Sequence, residues 1–259
     1  MSESSVLDQI IQGVLADVKL RERPISELID EISGAPKLRN VYEALSTSGT
    51  SLIAEVKRSS PSKGVLADIL HPADLALKYQ SGGADLISVL TEQRRFNGAI
   101  SDLIAVRDAV DLPVLRKDFI VSEFQVYESR LIGADLILLI VAGLTKSQLF
   151  DYYQLASELG MSVLVEVHDE DEAAIAVDLK SKIIGVNSRN LKTLEVSFEN
   201  FQKILPHLPK DVIKIAESGI STRSEVAELE KLGATGILVG ETLVKSQDPV
   251  KKIKELLNR

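Results

Sequence analysis

Apolar residues in this chain fall into short runs separated by longer amphipathic stretches. The runs are SLIAEVK from Ser51, LISVL from Leu86, PVLRK from Pro113, LILLIV from Leu136, SVLVEV from Ser162, IIGVN from Ile183, VIKIAES from Val212 and GILVG from Gly236. Their length and β-branched content predict eight strands. The stretches between them have helical period, for example ADLALKYQSG after Pro72, SEFQVYESRLIG from Ser122, KSQLFDYYQLASELG from Lys146 and TRSEVAELEKLG from Thr222. The last opens on a Thr N-cap with Glu225 three residues on, the pattern of a capping box.

Three junctions resemble one another: SGGADLISVL, LIGADLILLI and KLGATGILVG, whose glycines Gly83, Gly133 and Gly233 are separated by 50 and then 100 residues. With a unit of about 25 residues, those gaps are two and four units, each a helix ending on Gly and turning into a buried strand. Eight such units predict an α/β fold, a closed parallel (β/α)8 TIM barrel, with a doubly wound open sheet as the alternative. The expected organisation is a single barrel domain over residues 1–259, with residues 1–48 as added N-terminal helices, VLDQIIQGVLADVKLRERP and ISELIDEISGAP. These are placed to cap one end of the barrel, with breaks at Pro24 and at Gly34 to Pro36.

Composition narrows the function. The chain of 259 residues is 45% apolar and 26% charged with a net charge of -8, values of a soluble globular protein with no drive toward nucleic acid or anionic lipid. There is no cysteine, which removes disulfides, thiolate metal sites and a Cys nucleophile. His71, His168 and His207 lie far apart without ligand spacing, so no metal is expected. The start MSESSVLDQI lacks the basic and apolar segments of a signal peptide, and the run from Leu136 to Leu144 is too short to span a bilayer. The expected location is the cytoplasm. The expected state is a monomer, although outer barrel helices look alike whether solvated or lightly paired.

Polar residues interrupt the strands at one kind of place. In SLIAEVK, Ile53, Glu55 and Lys57 share a face by the two-residue period. Glu166 shares a face with Leu164, Lys117 with Leu115 and Glu217 with Ile215, and Asn187 ends IIGVN. Five strands thus finish with polar side chains aimed at the C-terminal mouth, where barrels carry their chemistry. A structural ion-pair network is the plain alternative. Lysines and carboxylates crowded in a low-dielectric site shift one another's pKa values and suit proton transfer on an organic substrate. The segments ESGIST and GETLV follow the last two strands, where backbone N–H groups bind phosphate in many barrels. Gly219 and Gly240 permit close approach there, and SSPSKG can supply Ser60 with Lys57 below it.

The segments IAEVKRSSPSKG, VLTEQRRFNG, LRKDFI, LVEVH, GVNSRNL, IAESGI and LVGE together resemble the indole-3-glycerol-phosphate synthase family, in family order and from about residue 5 onward. The resemblance implies ring closure of 1-(2-carboxyphenylamino)-1-deoxyribulose 5-phosphate, with loss of carbon dioxide and water and no cofactor. It implies Lys117 as general acid, Glu166 as charge stabiliser or proton acceptor, and Lys57, held by Glu55, against the substrate carboxylate or phosphate. Asn187, Arg189, Glu217 and Ser218 would contact the substrate. Ser60 and the N–H groups of Gly219, Gly240 and Glu241 would hold phosphate, and Pro61, Phe96, Phe119 and Leu191 would flank the anthranilate ring.

Two positions depart from the family pattern: Asn190 where Asp is common, and Glu241 where some members carry a small hydroxylated residue. Neither touches Lys57, Lys117 or Glu166. Two rivals stay open. A phosphoribosylanthranilate isomerase is disfavoured because that family typically uses a Cys base. A catalytically inactive phosphate-binding barrel is disfavoured by the intact charged rim. No second set of repeats precedes Arg259, so no fused partner enzyme is expected.

Overall fold

The computed structural model describes residues 5–46, 49–190 and 193–259. Eight parallel strands alternate with helices and close into a ring. They are β1 (Ser51–Val56), β2 (Leu86–Leu90), β3 (Val114–Lys117), β4 (Leu136–Ile140), β5 (Ser162–Val167), β6 (Ile183–Asn187), β7 (Ile213–Glu217) and β8 (Gly236–Val239). Strand β8 pairs with both β7 and β1, Ser51 to Ala54 lying opposite Gly236 to Val239. That pairing excludes the open doubly wound sheet and removes both sheet edges.

The strands are short because each is buried on both faces and must end where polar backbone can reach the surface. Ile53, Leu86, Leu115, Leu136, Leu164, Ile183, Ile215 and Leu238 fill the barrel interior. Their neighbours in sequence, such as Leu52, Ile87, Val114, Ile137, Val163, Ile184, Ala216 and Ile237, pack outward against the helices. A slip of one residue in any strand would exchange these two sets, so the register is strongly determined.

The helices are α1 (Val6–Arg21), α2 (Ile25–Glu31), α3 (Val41–Leu45), α4 (Pro72–Gly82), α5 (Ile100–Ala109), α6 (Glu123–Leu131), α7 (Lys146–Glu158), α8 (Glu170–Asp178), α9 (Glu199–Ile204), α10 (Arg223–Lys231), α11 (Glu241–Val244) and α12 (Pro249–Leu257). Local chemistry explains their ends. Thr222 and Glu225 form the expected capping box at α10, and Ser5 with Asp8 and Thr145 with Gln148 do the same at α1 and α7. Gly83, Gly133 and Gly233 have φ of 97°, 86° and 95°. These are left-handed conformations that turn each helix toward its next strand.

The N-terminal extension differs from expectation in two ways. Helix α1 stops at Arg21 instead of running to Pro24, because proline disfavours helical backbone in the residue before it. The extension also reaches both ends of the barrel. Leu7 and Ile10 of α1 face the C-terminal mouth, while α3 packs under the opposite end, with Leu45 O accepting from Ser51 Oγ at 3.2 Å. Among the described residues, no helix is long and apolar enough to cross a membrane.

Candidate active site

The mouth of the barrel holds a cleft with two continuous halves. One half is walled by Phe96, Phe119, Pro61, Leu138, Ile140 and the Leu7 and Ile10 side chains of α1. The other half is walled by Ser218, Gly219, Ile220, Gly240, Glu241 and Thr242, from the loops after β7 and β8. Glu55, Lys57, Lys117, Arg189 and Ser218 border both. An apolar compartment thus joins a compartment of backbone turns across a charged floor.

The floor is built by strand ends. Lys117 Nζ donates to Glu166 Oε2 at 3.3 Å and stands 3.7 Å from Glu217 Oε2. Lys57 Nζ pairs with Glu55 Oε1 at 2.6 Å. Two glycines make room for these carboxylates: a Cβ at Gly185 would overlap Glu217 Oε1, and one at Gly240 would overlap Glu55 Oε1. Substitution at either position would force the facing carboxyl to shift.

Burial and neighbours divide the titrating groups. Burial opposes charge on Lys117, but the carboxylates of Glu166, Glu217 and Glu55 outweigh it and raise its pKa. Burial likewise opposes charge on Glu166, yet Lys117, His168 and Asn187 hold its carboxyl well below the usual range. Glu217 goes the other way. Burial and the neighbouring Glu166 carboxylate push it up to about 8, against the pull of Lys117. Its contact with Glu166 is favourable only with a proton between them, and its Oε1 accepts no hydrogen bond among the described residues. Near neutral pH Lys117 therefore stands charged between an ionised Glu166 and a protonated Glu217.

Loop contacts set the walls. The buried Glu92 carboxylate accepts the N–H groups of Arg94, Arg95 and Phe96 at 3.0, 2.7 and 3.0 Å, fixing the turn that presents Phe96. The Phe96 and Phe119 rings lie 6.1 Å apart at 40°. Ser59 Oγ donates to Arg95 O at 2.9 Å, tying the first loop to the second. Arg189 Nη1 donates to Leu194 O at 2.8 Å and to Ser62 Oγ at 3.2 Å, and its N–H donates to Asn187 Oδ1 at 2.9 Å. Ser218 and Gly219 take φ of 70° and 73°, turning the chain sharply behind β7.

The cleft thus gathers Glu55, Lys57, Ser60, Pro61, Phe96, Lys117, Phe119, Glu166, Asn187, Arg189, Glu217, Ser218, Gly219, Gly240 and Glu241. Ser60 borders the apolar half rather than the half with the two turns. Leu191 lies outside the described residues. Both departures from the family pattern find partners elsewhere. The Asn190 side chain accepts from Thr193 N at 3.1 Å within its own turn, while Arg189 is oriented by the Leu194 carbonyl. Glu241 is paired with Lys63 at 2.7 Å and Lys245 at 2.8 Å, which offsets its charge beside the anion loops.

Comparison with known proteins covers nearly the full length of the chain. The profile described as indole-3-glycerol phosphate synthase matches residues 7–256. The chain belongs to the indole-3-glycerol phosphate synthase family. It is 52% identical to the indole-3-glycerol phosphate synthase of Mycolicibacterium gilvum, covering 99% of this chain and 95% of that one. It is 50% identical to that of Rhodococcus opacus, covering 98% and 95%. Among solved structures, a 3-hexulose-6-phosphate synthase superposes with a TM-score of 0.63 at 18% identity, over 81% of this chain and 99% of that one. That likeness speaks for the barrel alone. The family acts in tryptophan biosynthesis, and its enzymes are carboxy-lyases that close a ring with decarboxylation.

Sequence reasoning expected the N-terminal helices to cap one end of the barrel but did not name Leu7 and Ile10 of α1, and it missed Leu138, Ile140, Lys63 and His168. The alternation of β5 carried a signal for His168, since Leu164, Glu166 and residue 168 share one face. The α1 contribution had no such signal, because its apolar stripe is compatible with any packed surface.

Proposed function

We propose that the cleft converts 1-(2-carboxyphenylamino)-1-deoxyribulose 5-phosphate to indole-3-glycerol phosphate, carbon dioxide and water, with its residues in the following roles. The phosphate is held by N–H groups at Gly219, Gly240 and Glu241, with Ser60 approaching from the opposite wall. The anthranilate ring lies in the apolar half between Phe96, Phe119 and Pro61. This pose puts the ribulose carbonyl over the charged floor, and the bordering of both halves by Glu55, Lys57 and Lys117 supports it.

Lys117 donates a proton to the ribulose carbonyl oxygen as the ring carbon bearing the carboxylate attacks the carbonyl carbon. A carbon-carbon bond forms and the oxygen becomes a hydroxyl. Glu166 stabilises the positive charge that develops on the ring and amine. Loss of carbon dioxide returns the electron pair to the ring, and the hydroxyl then leaves as water, with Lys57 as acid and Glu166 accepting the remaining proton. Asn187, Arg189, Glu217 and Ser218 orient the substrate carboxylate and hydroxyls. These steps need only acid, base and charge stabilisation.

Lys117 carries this reading: it is an ammonium with its proton in place, set between two carboxyls at the junction of the compartments. The proposed substrate is a phosphorylated small molecule and the proposed setting a monomer in the cytoplasm, and the net charge of -8 speaks against a nucleic-acid partner. The test is turnover of the anthranilate-ribulose phosphate by the purified chain with no added nucleotide or metal, followed by indole fluorescence. Product formation is expected. Substrate that binds without reacting would mark an inactive phosphate-binding barrel instead.

A further inference from the structure

The two carboxyl groups flanking Lys117 differ in what stands behind them. Glu217 is backed by the space that Gly185 leaves. Glu166 is backed by His168, whose Nε2 lies at an ion-pair distance of 3.2 Å from Glu166 Oε1, outside hydrogen-bond geometry, while Lys117 occupies Oε2. The second ring nitrogen, Nδ1, lies 3.0 Å from Glu172 Oε2. Both nitrogens therefore face carboxylate oxygens, and only the doubly protonated ring has a hydrogen for each. Glu172 is itself fixed in the first turn of α8. Its Oε2 accepts the His168 N–H at 2.8 Å, and its own N–H donates to Asp169 Oδ1 at 2.8 Å.

His168 does not border the cleft, so it does not touch substrate in the proposed pose. Burial disfavours charge on the ring, but Glu166 and Glu172 reverse that and raise its pKa to about 10. Other charged groups act through Glu166 or are already paired. Lys117 of β3, Glu217 of β7 and the Glu55–Lys57 pair of β1 meet on the barrel side. On α9, Glu199 and Lys203 pair at 3.8 Å on the surface, while Asn200 Nδ2 donates to His168 O at 3.3 Å.

We propose that His168 is a positioning residue: as an imidazolium clamped between Glu166 and Glu172, it keeps Glu166 ionised and directs the carboxyl proton of the floor to Glu217. The proposal rests on the reading of Lys117 and Glu166 as the reacting pair. With a neutral group at 168, Glu166 loses one of its two cations. The two carboxyls then compete for one proton on more equal terms, and the fraction of enzyme in the active protonation state falls.

The experiment compares the full chain with His168→Gln, His168→Lys and Glu172→Gln. In His168→Gln, kcat is expected to fall about tenfold with KM within about twofold. The acidic limb of its pH–kcat profile is expected to rise by about one pH unit. Glu172→Gln moves that limb the same way by less, and His168→Lys restores most of the rate. Two readouts are independent of turnover. The imidazole 15N signals absent from His168→Gln report an imidazolium in the parent chain at about pH 8, and carboxyl 13C signals at about pH 6 report Glu166 ionised with Glu217 protonated. A neutral ring, an unmoved acidic limb in folded His168→Gln, or a proton resident on Glu166 overturns the proposal. A parent chain without turnover overturns the synthase reading alone, and the two NMR measurements still decide the charge arrangement.

Discussion

Arg116 and Lys117 are consecutive on β3, both shielded from water, and they point to opposite faces. The side chain of Arg116 is 0% exposed and uses all five of its N–H donors. Nε donates to Thr91 Oγ1 at 3.2 Å, Nη1 to Ser129 Oγ at 3.0 Å and Gln125 O at 3.4 Å, and Nη2 to Asp118 at 3.2 Å and Glu128 at 2.8 Å. Arg21 of α1 completes the set at 2.7 Å from Glu128. Lys117 has 15% of its side chain exposed, one hydrogen bond at 3.3 Å, and a looser contact at 3.7 Å. A buried charge whose partners are saturated stiffens the fold, whereas one left with spare donors beside a cleft is available to a ligand. Two residues apart by one step in the chain thus separate structural from reactive electrostatics.

Removing the saturated member should produce the largest effect. Arg116→Ala leaves Asp118 without its cation and Glu128 with Arg21 alone, and urea unfolding should show a loss of about 3–5 kcal/mol, with activity of the folded fraction nearly retained. Equal stability in that variant would erase the distinction. Lys117→Ala should do the converse. Turnover in the fluorescence assay should fall by at least about 100-fold, roughly 2.7 kcal/mol in barrier, with a smaller change in unfolding than Arg116→Ala. Near-normal turnover would remove Lys117 from its role.

Glu217 sharpens the comparison through pH. Its folded pKa, about 8, lies above its ordinary value of 4.5, so the folded chain holds a proton that the unfolded chain releases. The stability this group supplies is complete below about pH 4.5 and is lost as pH rises through about 8. Relative to Glu217→Gln, the parent chain should therefore lose stability as pH rises across that window. Denaturation curves of both chains at stepped pH read this directly, and parallel pH dependences would contradict it. The smallest effect belongs to Arg21→Ala, at the half-exposed outer end of the Arg116 network. It should cost about 1 kcal/mol or less, together with a rise in KM under about threefold as α1 loosens over the apolar half. A larger stability loss would extend the saturated network to the surface.

Alternation and turn chemistry made much of this legible. Leu115 and Lys117, Leu164 and Glu166, and Ile215 and Glu217 share faces that the two-residue period assigns without coordinates, and the structure puts those faces inside the barrel. The same period left Arg116 unread. An outward polar residue on a strand suggests solvent unless one knows that Glu128 and Ser129 of α6 cover it. Helix α3 was missed for a related reason, since five residues between loops carry too little periodicity to stand out.

What the sequence determined by itself was local and repetitive: strand lengths, helix caps, the left-handed glycines, and the polar residues that end the strands. Those follow from backbone sterics and from the side-chain period, which act over a few residues. Only the tertiary structure decided that the sheet closes, that α1 walls the apolar half, that Glu241 is offset by Lys63 and Lys245, and that His168 reaches both Glu166 and Glu172. Each of these depends on distances between side chains on different elements. The energy of a charge in a low-dielectric site is set by those distances and not by its place in the chain.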